Sequence, residues 1–387
     1  MVLVINHSLG HFLSKADRLH GEPMGNKRGV FSLIAAVLCA AVCWHAEPPG
    51  QKVSAVAAEK TLVSPLDQAE KLSVTSAAET AKILVPQIEE PWWTIAGNPD
   101  LGKWNSEKQQ PVDFAIWQAS DGTWQLWSCI RHTNCGGNTR LFYRWEGRRL
   151  TDPDWKPIGI AMTADEKYGE APGGLQAPFV LRLDDTYWMF YGNWHGICLA
   201  RSRDGKTFQR VLDDKGSSQL FTEDTPTMRA NTRDPMVLPV GDKLYCYYTA
   251  YPNQQGAVYC RIGQRGGTGD KLAQWGPSKI VAFGGQAGSG PYSAECPFVA
   301  ARFGWYYLFR TQRYGRNAQS LVYRSKSPLD FGVNDDRYLV ASLPVAAPEI
   351  IQHEGQDYIA ALLPSLKGIQ VARLKWVPPQ ETPQRHR

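Results

Sequence analysis

The chain has 387 residues, of which 43% are hydrophobic and 11% aromatic, so it is long enough to bury a large core. Its formal charge of +5 is scattered among acidic residues and is not gathered into basic runs. This pattern excludes nucleic acid from the expected partners. The spacing of the cysteines matches no zinc-binding pattern, so no metal centre is expected from them.

The first 46 residues are predicted to be a leader. A basic segment at residues 26–28 precedes a thirteen-residue apolar run at residues 30–42. A basic segment followed by an apolar run of this length is typical of a signal peptide, and the run is short for a membrane span. We therefore expect an exported protein, periplasmic or extracellular, with its true start at Met24. An uncleaved N-terminal anchor is the alternative.

Residues 47–90 are predicted to be a disordered linker, and residues 378–387 a flexible tail. The linker is rich in Ala, Glu, Lys, Ser, Thr and Pro and lacks aromatic residues. A segment of this composition cannot bury a core. The tail is polar and rich in proline. The region between them, residues 91–377, is therefore the expected folded domain.

A repeated unit organises this domain. Each copy has an apolar strand-like run, a tight polar turn and a second run rich in aromatic residues, although the first copy is degenerate. The equivalent positions of successive copies are separated by steps of 64, 57, 62 and 51 residues. Self-similarity at a roughly constant period of this size is typical of propellers and solenoids. The equivalent residues are Asp113, Ala177, Asp234, Cys296 and Ala347.

Each period contains about four short strand-like runs, which predicts antiparallel sheets rather than helices. Four antiparallel strands per repeat, arranged radially round a channel, form a propeller blade. The sequence therefore predicts an all-β, five-bladed β-propeller, preceded by a signal or anchor segment and a disordered linker. In the second copy the predicted strands are 179–183, 187–191, 197–201 and 208–212, and in the third they are 236–240, 244–249, 258–262 and 279–282.

Three carboxylates occupy positions that a propeller brings to its axis. Asp113 and Asp234 stand at the equivalent position of the first and third copies, and Glu295 stands one residue earlier in the fourth. Crowded carboxylates cost Coulomb repulsion unless their pKa values shift apart, and proteins tolerate this mainly at catalytic or cation sites. Glycoside hydrolysis needs this arrangement, because one acid protonates the leaving oxygen while a carboxylate attacks or activates water.

The motifs around two of these acids resemble those of glycoside hydrolase family 32. The tripeptide Arg-Asp-Pro at 233–235 is similar to its RDP motif, and Glu-Cys at 295–296 is similar to its EC motif. The blade layout also resembles glycoside hydrolase family 43. The resemblance implies that Glu295 is the general acid, Asp234 the transition-state stabiliser and Asp113 the nucleophile or general base.

Blade one departs from family 32. Enzymes of that family carry an Asn-Asp-Pro-Asn-Gly type segment around the nucleophile, whereas residues 110–117 here read Gln-Pro-Val-Asp-Phe-Ala-Ile-Trp. Fructose specificity and a retaining mechanism therefore do not follow from the resemblance, which covers about residues 91–377. Family 43-like members invert at arabinose or xylose units. A separation of about 5–5.5 Å between the carboxyls of Asp113 and Glu295 would favour retention, and about 6.5–9.5 Å would favour inversion.

Eight further residues are candidates for substrate binding. They follow the second strand of a copy, precede the first strand, or in one case lie within it. As a group they offer aromatic faces for stacking and hydrogen-bond donors for sugar hydroxyls. His195 is also an alternative ligand for a central cation of the kind that some family 43-like enzymes hold. The eight are Trp117, Arg131, Gln176, Trp194, His195, Arg233, Tyr292 and Arg310.

Six cysteines follow the leader. Cys129 and Cys135 flank a short polar turn, and export would allow them to form a disulfide. The other four lie in or beside predicted strands and are expected to be small buried apolar residues.

The predicted function is glycoside hydrolysis on an oligosaccharide or polysaccharide. No organic cofactor and no catalytic metal are expected, and structural calcium is an alternative without support in the residues. No membrane contact is expected beyond the N-terminal anchor. Two other hypotheses are a non-catalytic carbohydrate-binding propeller, favoured by the degenerate first copy, and a phosphorolytic relative. For the latter, Arg233 and Arg310 are the candidate phosphate ligands.

Overall fold

A computed structural model describes residues 83–265 and 272–379. The predicted leader at 1–46, residues 47–82 of the predicted linker and residues 380–387 of the predicted tail lie outside the described residues. Within residues 83–265 and 272–379 no helix is long and apolar enough to cross a membrane. The helices there are short 3₁₀ turns at Gly102–Trp104, Glu166–Tyr168, Pro252–Gln254, Gly285–Ala287 and Gly315–Asn317.

Short antiparallel strands occupy most of the described chain, because apolar runs alternate with tight turns every few residues. In chain order they are β1 (Val85–Gly97), β2 (Gln110–Gln118), β3 (Trp124–Arg131), β4 (Leu141–Gly147), β5 (Lys156–Met162), β6 (Gln176–Leu183), β7 (Thr186–Gly192), β8 (Ile197–Ser202), β9 (Gln209–Arg210), β10 (Gln219–Phe221), β11 (Arg233–Val240), β12 (Lys243–Ala250), β13 (Ala257–Gln264), β14 (Gln274–Ala282), β15 (Glu295–Arg302), β16 (Trp305–Arg313), β17 (Gln319–Ser325), β18 (Leu339–Leu343), β19 (Glu349–His353), β20 (Gln356–Leu362) and β21 (Gly368–Val377).

These strands form five sheets in the described part of the chain, one for each copy of the repeat. Blade one is β2–β5, blade two β6–β10, blade three β11–β14, blade four β15–β18, and blade five β19–β21 together with β1. The first strands of the blades, β2, β6, β11, β15 and β19, contact one another in order, and β19 contacts β2. The prediction of an all-β, five-bladed propeller is therefore confirmed.

Strand β1 closes the ring from the N-terminal side. It pairs with β21, from Val85 opposite Val377 to Gly97 opposite Gly368, and so becomes the outer strand of blade five. The carbonyls of Thr94 and Ile95 also accept hydrogen bonds from the loop that precedes β5 in blade one. Strand β1 begins at Val85, which is six residues before residue 91, the predicted start of the folded domain.

Aromatic rings fill the interfaces between neighbouring blades. Large side chains such as Trp127, Tyr247 and Tyr307 are almost completely buried, so most aromatic residues serve the core. Every pair of adjacent blades is joined by an aromatic contact. These contacts are Phe142–Tyr191 (6.0 Å between ring centroids), Phe190–Trp275 (5.9 Å), Tyr247–Phe331 (6.3 Å), Tyr307–Trp376 (4.6 Å) and Trp124–His353 (5.0 Å).

The repeat position read from the sequence has one backbone conformation in all five blades. Each residue is left-handed, with positive φ in a region that L-residues seldom adopt, and in blades one to four the strand pairing shifts register there. The φ angles are 40° at Asp113, 39° at Ala177, 56° at Asp234, 47° at Cys296 and 50° at Ala347. The shared conformation turns these five side chains out of the regular alternation of the strand.

The predicted disulfide between Cys129 and Cys135 is wrong. Both residues are free thiols. Cys129 is buried in β3, where its Sγ donates to the carbonyl of Leu175, and Cys135 lies in the following loop with its Sγ towards the carbonyl of Arg140. The two thiols therefore face different neighbours.

Candidate active site

The five residues at the repeat position line a narrow cavity on the propeller axis, together with the residues that follow them in each blade. The cavity has a volume of about 30 Å³, which is room for about two or three water molecules. Asp113 and Asp234 contribute carboxylates and Cys296 a thiol, whereas the alanines of blades two and five contribute no functional group. The chemistry of the axis is therefore carried mainly by blades one, three and four.

Asp234 is the most enclosed of the three predicted catalytic acids, with 4% of its surface exposed. The backbone N–H of Cys296 donates to its Oδ2 at 3.1 Å, and Nε of Arg233 lies 3.6 Å from the same oxygen. Burial raises the pKa of Asp234 to about 7, because it outweighs the opposing charge of Arg233, and the nearby acids Asp113 and Glu295 add to the rise.

Arg233 joins blade three to the predicted general acid in blade four. Its Nη2 donates to Oε1 of Glu295 at 2.9 Å, its Nη1 donates to the carbonyl of Asn231 at 3.1 Å, and its guanidinium lies over the ring of Tyr251. Burial opposes the charge of Arg233, but Asp234 and Glu295 outweigh that cost and raise its pKa. Arg233 therefore stays charged and holds both acids.

Asp113 reaches blade four across the axis. Its Oδ1 accepts a hydrogen bond from Sγ of Cys296 at 3.1 Å, and that sulfur lies 3.3 Å from the hydroxyl of Tyr314. The pKa values of the Cys296 thiol and the Tyr314 phenol are both raised well above their ordinary values, chiefly by burial and further by the surrounding acids. Both groups therefore keep their protons at neutral pH.

Each of the three acids has one oxygen anchored by the protein and a second oxygen without a hydrogen bond to any described residue. The anchored oxygens are Oδ1 of Asp113, Oδ2 of Asp234 and Oε1 of Glu295. The other oxygens are Oδ2, Oδ1 and Oε2, respectively. This arrangement orients each carboxyl and leaves one oxygen of each for a substrate or water.

Glu349 is a fourth carboxyl at the axis, which the sequence reasoning missed. Glu349 lines the narrow cavity, and its Oε2 accepts a hydrogen bond from the backbone N–H of Ile116 at 3.3 Å. Glu349 is half-buried, and desolvation of its carboxyl raises its pKa well above the ordinary value despite this hydrogen bond. A sequence signal existed, because the other copies have apolar residues two places after the repeat position: Ala115, Phe179, Met236 and Phe298.

One set of side chains in the described residues is close enough to share a cation. The ligand atoms of Asp113, Asp234 and Cys296 lie within 4.8 Å of one another. The thiol and the Asp113 carboxylate already form a hydrogen bond, as do the Cys296 backbone and Asp234. These hydrogen bonds occupy Oδ1 of Asp113 and Oδ2 of Asp234 and leave the other oxygen of each carboxyl open.

Gln176 lies beside Arg233 at the inner ends of their strands. Gly192 separates the two residues, and a Cβ atom there would lie 3.1 Å from Cβ of Gln176 and 3.4 Å from Cβ of Arg233. Gln176 is 1% exposed, and its Oε1 is buried without a hydrogen-bond partner. The structure thus brings this predicted binding residue next to the acids, with an unused acceptor.

Three predicted binding residues lie in or next to the loops beyond the inner strands. Nε of Arg131 donates to Oε1 of Gln110 at 2.9 Å, at the strand end next to Asp113. The guanidinium of Arg140 lies over the ring of Trp194, 5.1 Å from its centroid. Nδ1 of His195 lies 3.6 Å from Oδ2 of Asp224 and 3.2 Å from Arg229. His195, in the turn between β7 and β8, therefore belongs to a charged cluster with the loop between β10 and β11 and does not line the axial cavity.

The remaining predicted binding residues have different surroundings. Trp117 is buried among Trp127 and Phe208, and its Nε1 donates to the carbonyl of Gly205 at 2.8 Å. Arg310 is 1% exposed and donates to the carbonyls of Ser293, Gly284 and Gly288, and burial lowers its pKa to about 10. It therefore supports the loop that leads to Glu295. Tyr292 is 66% exposed on that loop.

Asn231 and Tyr314 are two further residues near the acids that the sequence reasoning missed. Asn231 is 9% exposed, and its Oδ1 is buried without a hydrogen-bond partner. Its carbonyl holds Arg233. Neither residue stands at the repeat position, and Tyr314 follows the end of β16, so no periodic signal identified them.

Three solved structures of glycoside hydrolases are similar to this chain. A thermostable family 43 glycoside hydrolase is 17% identical with a TM-score of 0.50, and the match covers 72% of this chain and 96% of that one. A family 117 glycoside hydrolase from the marine bacterium Zobellia galactanivorans is 11% identical with a TM-score of 0.51, covering 78% and 93%. A third glycoside hydrolase is 13% identical with a TM-score of 0.51, covering 74% and 92%. The chain shares their fold.

This likeness confirms the predicted resemblance to the propeller glycoside hydrolases at the level of the fold. Identities of this size carry no information on substrate or mechanism. The sequence matches no protein-family model and no curated protein sequence.

Proposed function

We propose that this protein is a glycoside hydrolase in which Glu295 is the general acid, Asp234 stabilises the transition state and Asp113 is the nucleophile or general base. The observation that carries the proposal is the convergence of three carboxyls, each with one oxygen anchored and one free. Two carboxyls on opposite sides of a sugar are what glycoside hydrolysis requires. The shared fold with known glycoside hydrolases supports it.

Each of the three acids has a separate proposed role. Arg233 anchors Oε1 of Glu295, so Oε2 is the oxygen available to protonate the leaving group. Asp234 contributes negative charge near the developing oxocarbenium ion, and its pKa of about 7 makes that charge depend on pH near neutrality. Oδ2 of Asp113 is the oxygen that attacks the sugar or takes a proton from water. No step requires an organic cofactor.

The axial cavity limits where a sugar can bind. Its volume of about 30 Å³ is too small for a sugar ring, so the ring would lie at the mouth, above the free carboxyl oxygens. Oε1 of Gln176 and Oδ1 of Asn231, next to Arg233, are enclosed by protein, so they do not face a sugar at the mouth. We propose an oligosaccharide or polysaccharide substrate on the basis of the three carboxyl oxygens that are free of hydrogen bonds, and export on the basis of the leader pattern.

The test is hydrolysis of a panel of aryl glycosides and plant or algal oligosaccharides. Glu295→Gln and Asp234→Asn should each lower kcat by at least about a thousandfold with unchanged circular dichroism. Asp242→Asn is the matched control, because Asp242 lies in the exposed turn between β11 and β12 of the same blade as Asp234. Wild-type turnover in either catalytic variant would refute the assignment.

The same experiment separates hydrolysis from carbohydrate binding alone. A wild-type protein that binds an oligosaccharide without turnover would instead be a non-catalytic propeller. The contact of Asp113 with the residue next to Glu295 favours the enzyme, because a binding propeller has no need for converging acids. Proton NMR of the first anomer released would distinguish retention from inversion.

A further inference from the structure

Cys296 contacts two of the proposed catalytic acids and follows the third. Its backbone N–H donates to Asp234, its Sγ lies 3.1 Å from Oδ1 of Asp113, and Glu295 is its neighbour in sequence. The Tyr314 hydroxyl lies 3.3 Å from the sulfur on another side. Among the described side chains, the Cys296 thiol is the hydrogen-bond donor to Asp113, so it anchors this carboxyl.

The direction of these hydrogen bonds follows from the chemistry of the groups. An ionised carboxylate accepts and cannot donate, so the thiol must donate its proton to Asp113. The sulfur is then left as an acceptor, and the Tyr314 hydroxyl must donate to it. The raised pKa values of Cys296 and Tyr314 agree with this direction, because both groups retain the protons they donate.

The backbone does not need cysteine at this position. Cys296 has φ 47°, and the equivalent residues in blades two and five are alanines with φ 39° and 50°. A side chain longer than that of alanine is therefore not required for the left-handed conformation. What the thiol adds beyond alanine is its contact with Asp113 and Tyr314.

We propose that Cys296 is a positioning residue for Asp113. Its thiol, oriented by a hydrogen bond from Tyr314, donates to Oδ1 of Asp113 and leaves Oδ2 as the oxygen that reacts. This inference rests on the proposed function for its catalytic consequence. The hydrogen-bonded chain itself can be tested without turnover.

Several ionisable groups surround Asp113, and interacting groups titrate together. The comparison must therefore be made between variants that change one neighbour at a time. The groups are Asp234, Arg233, Glu295, Cys296, Tyr314, Glu349 and the buried thiol of Cys129.

The first experiment is the pH profile of kcat/KM for Cys296→Ala and Cys296→Ser. Loss of the donor should raise the apparent pKa of the acid limb by about one unit and lower kcat about tenfold, with little change in KM. Serine keeps a hydroxyl donor and should restore most of both. Tyr314→Phe should raise the apparent pKa of the acid limb by a smaller amount, because the Cys296 thiol stays in place but loses the hydrogen bond from the Tyr314 hydroxyl.

Cys260→Ala is the control for loss of a buried thiol in β13, away from the axis, and should retain the wild-type profile. Equal profiles for Cys296→Ala and Cys296→Ser, or an unshifted limb in Cys296→Ala, would overturn the positioning role. A wild-type limb in Tyr314→Phe would overturn the part assigned to Tyr314.

The second experiment needs no substrate. The rate at which iodoacetamide alkylates Cys296 is measured by mass spectrometry at several pH values, with Cys135 in the same digest as reference. Asp113→Asn removes the anion that holds the thiol proton, so alkylation should be about tenfold faster at a given pH. An unchanged rate would refute the hydrogen bond. A wild-type protein that hydrolyses no glycoside but shows the faster alkylation would refute only the proposed function.

Discussion

The pKa values of two axial carboxyls, Asp234 and Glu349, are raised, and burial is the first cause in both. They differ in what opposes burial. Arg233 lies beside Asp234, whereas Glu349 has one backbone N–H, from Ile116. A buried carboxyl without a cation is expected to retain its proton at neutral pH. The folded state then holds a proton that the unfolded state releases.

We expect Glu349→Gln to stabilise the protein at pH 8 but not at pH 4. In the unfolded state Glu349 ionises near its ordinary pKa of 4.5, while its folded pKa is higher. The contribution of this group to stability is therefore complete below about pH 4.5 and falls as pH rises towards the folded pKa. Glutamine cannot ionise, so the variant should gain at least about 1 kcal/mol at pH 8. Urea unfolding at both pH values measures this.

Two comparisons make this prediction specific to the buried carboxyl. The exposed Glu107→Gln should change the free energy of unfolding by no more than about 0.5 kcal/mol at either pH. Glu349→Ala should lose stability at pH 4, because it leaves a hole beside the cavity. A pH-independent effect of Glu349→Gln would contradict the assignment of a raised pKa.

At the scale of elements, strand ends set the spacing of the site. Gln176 opens β6, Arg233 opens β11, and Gly192 closes β7 between them. The absence of a side chain at Gly192 allows β6 and β11 to approach, and this approach places Gln176 beside the arginine that holds Glu295. A glycine at this point is therefore a packing requirement of the site.

We expect Gly192→Ala to impair turnover more than stability. The added Cβ would lie 3.1 Å from Cβ of Gln176 and 3.4 Å from Cα of Arg233, so one strand end must move. A displacement of this kind should lower kcat/KM by roughly ten- to hundredfold and cost about 1 kcal/mol of stability. Steady-state kinetics and thermal unfolding on one preparation measure the two effects.

Gly97→Ala is the matched control, because an added Cβ there meets nothing within 4 Å and its φ is not left-handed. It should behave as wild type in both assays. Wild-type kinetics for Gly192→Ala would show that the spacing of Gln176 and Arg233 does not matter for the reaction.

At the scale of the whole molecule, ring closure assembles one chemical unit from distant parts of the chain. Residues 183 apart in sequence, Asp113 and Cys296, are in hydrogen-bond contact, and so are Asp234 and Cys296, 62 apart. Arg233 joins two of the acids directly. Groups that act on one transition state are not independent.

The double variant Asp234→Asn/Glu295→Gln should therefore be little slower than the slower single variant. Independent acids would multiply their losses, giving a decrease of about a millionfold from two of about a thousandfold. Adding Asp242→Asn to Glu295→Gln should leave the rate of Glu295→Gln unchanged. Single-turnover rates on the best substrate measure all of these, and a fully multiplicative double variant would contradict a common site.

The sequence was sufficient to predict the blades and the axial position. The turn and strand pattern recurs five times, and the equivalent residues from Asp113 to Ala347 share one left-handed conformation. The alanines among them already showed that acids are not a requirement of the repeat. Local errors remained: β1 begins before position 91, and the predicted fourth strand of blade two, 208–212, contains only β9, with β10 completing the sheet.

Repetition in the chain specifies the propeller, because each blade follows from short-range alternation and turn chemistry that any copy displays. The partners of the acids follow from no such pattern. The thiol at Oδ1 of Asp113, the arginine at Oε1 of Glu295 and the backbone N–H at Glu349 come from other blades, the last of them 233 residues away. Contacts of that range, and the burial that raises the pKa values of Asp234 and Glu349, exist only once the ring has closed.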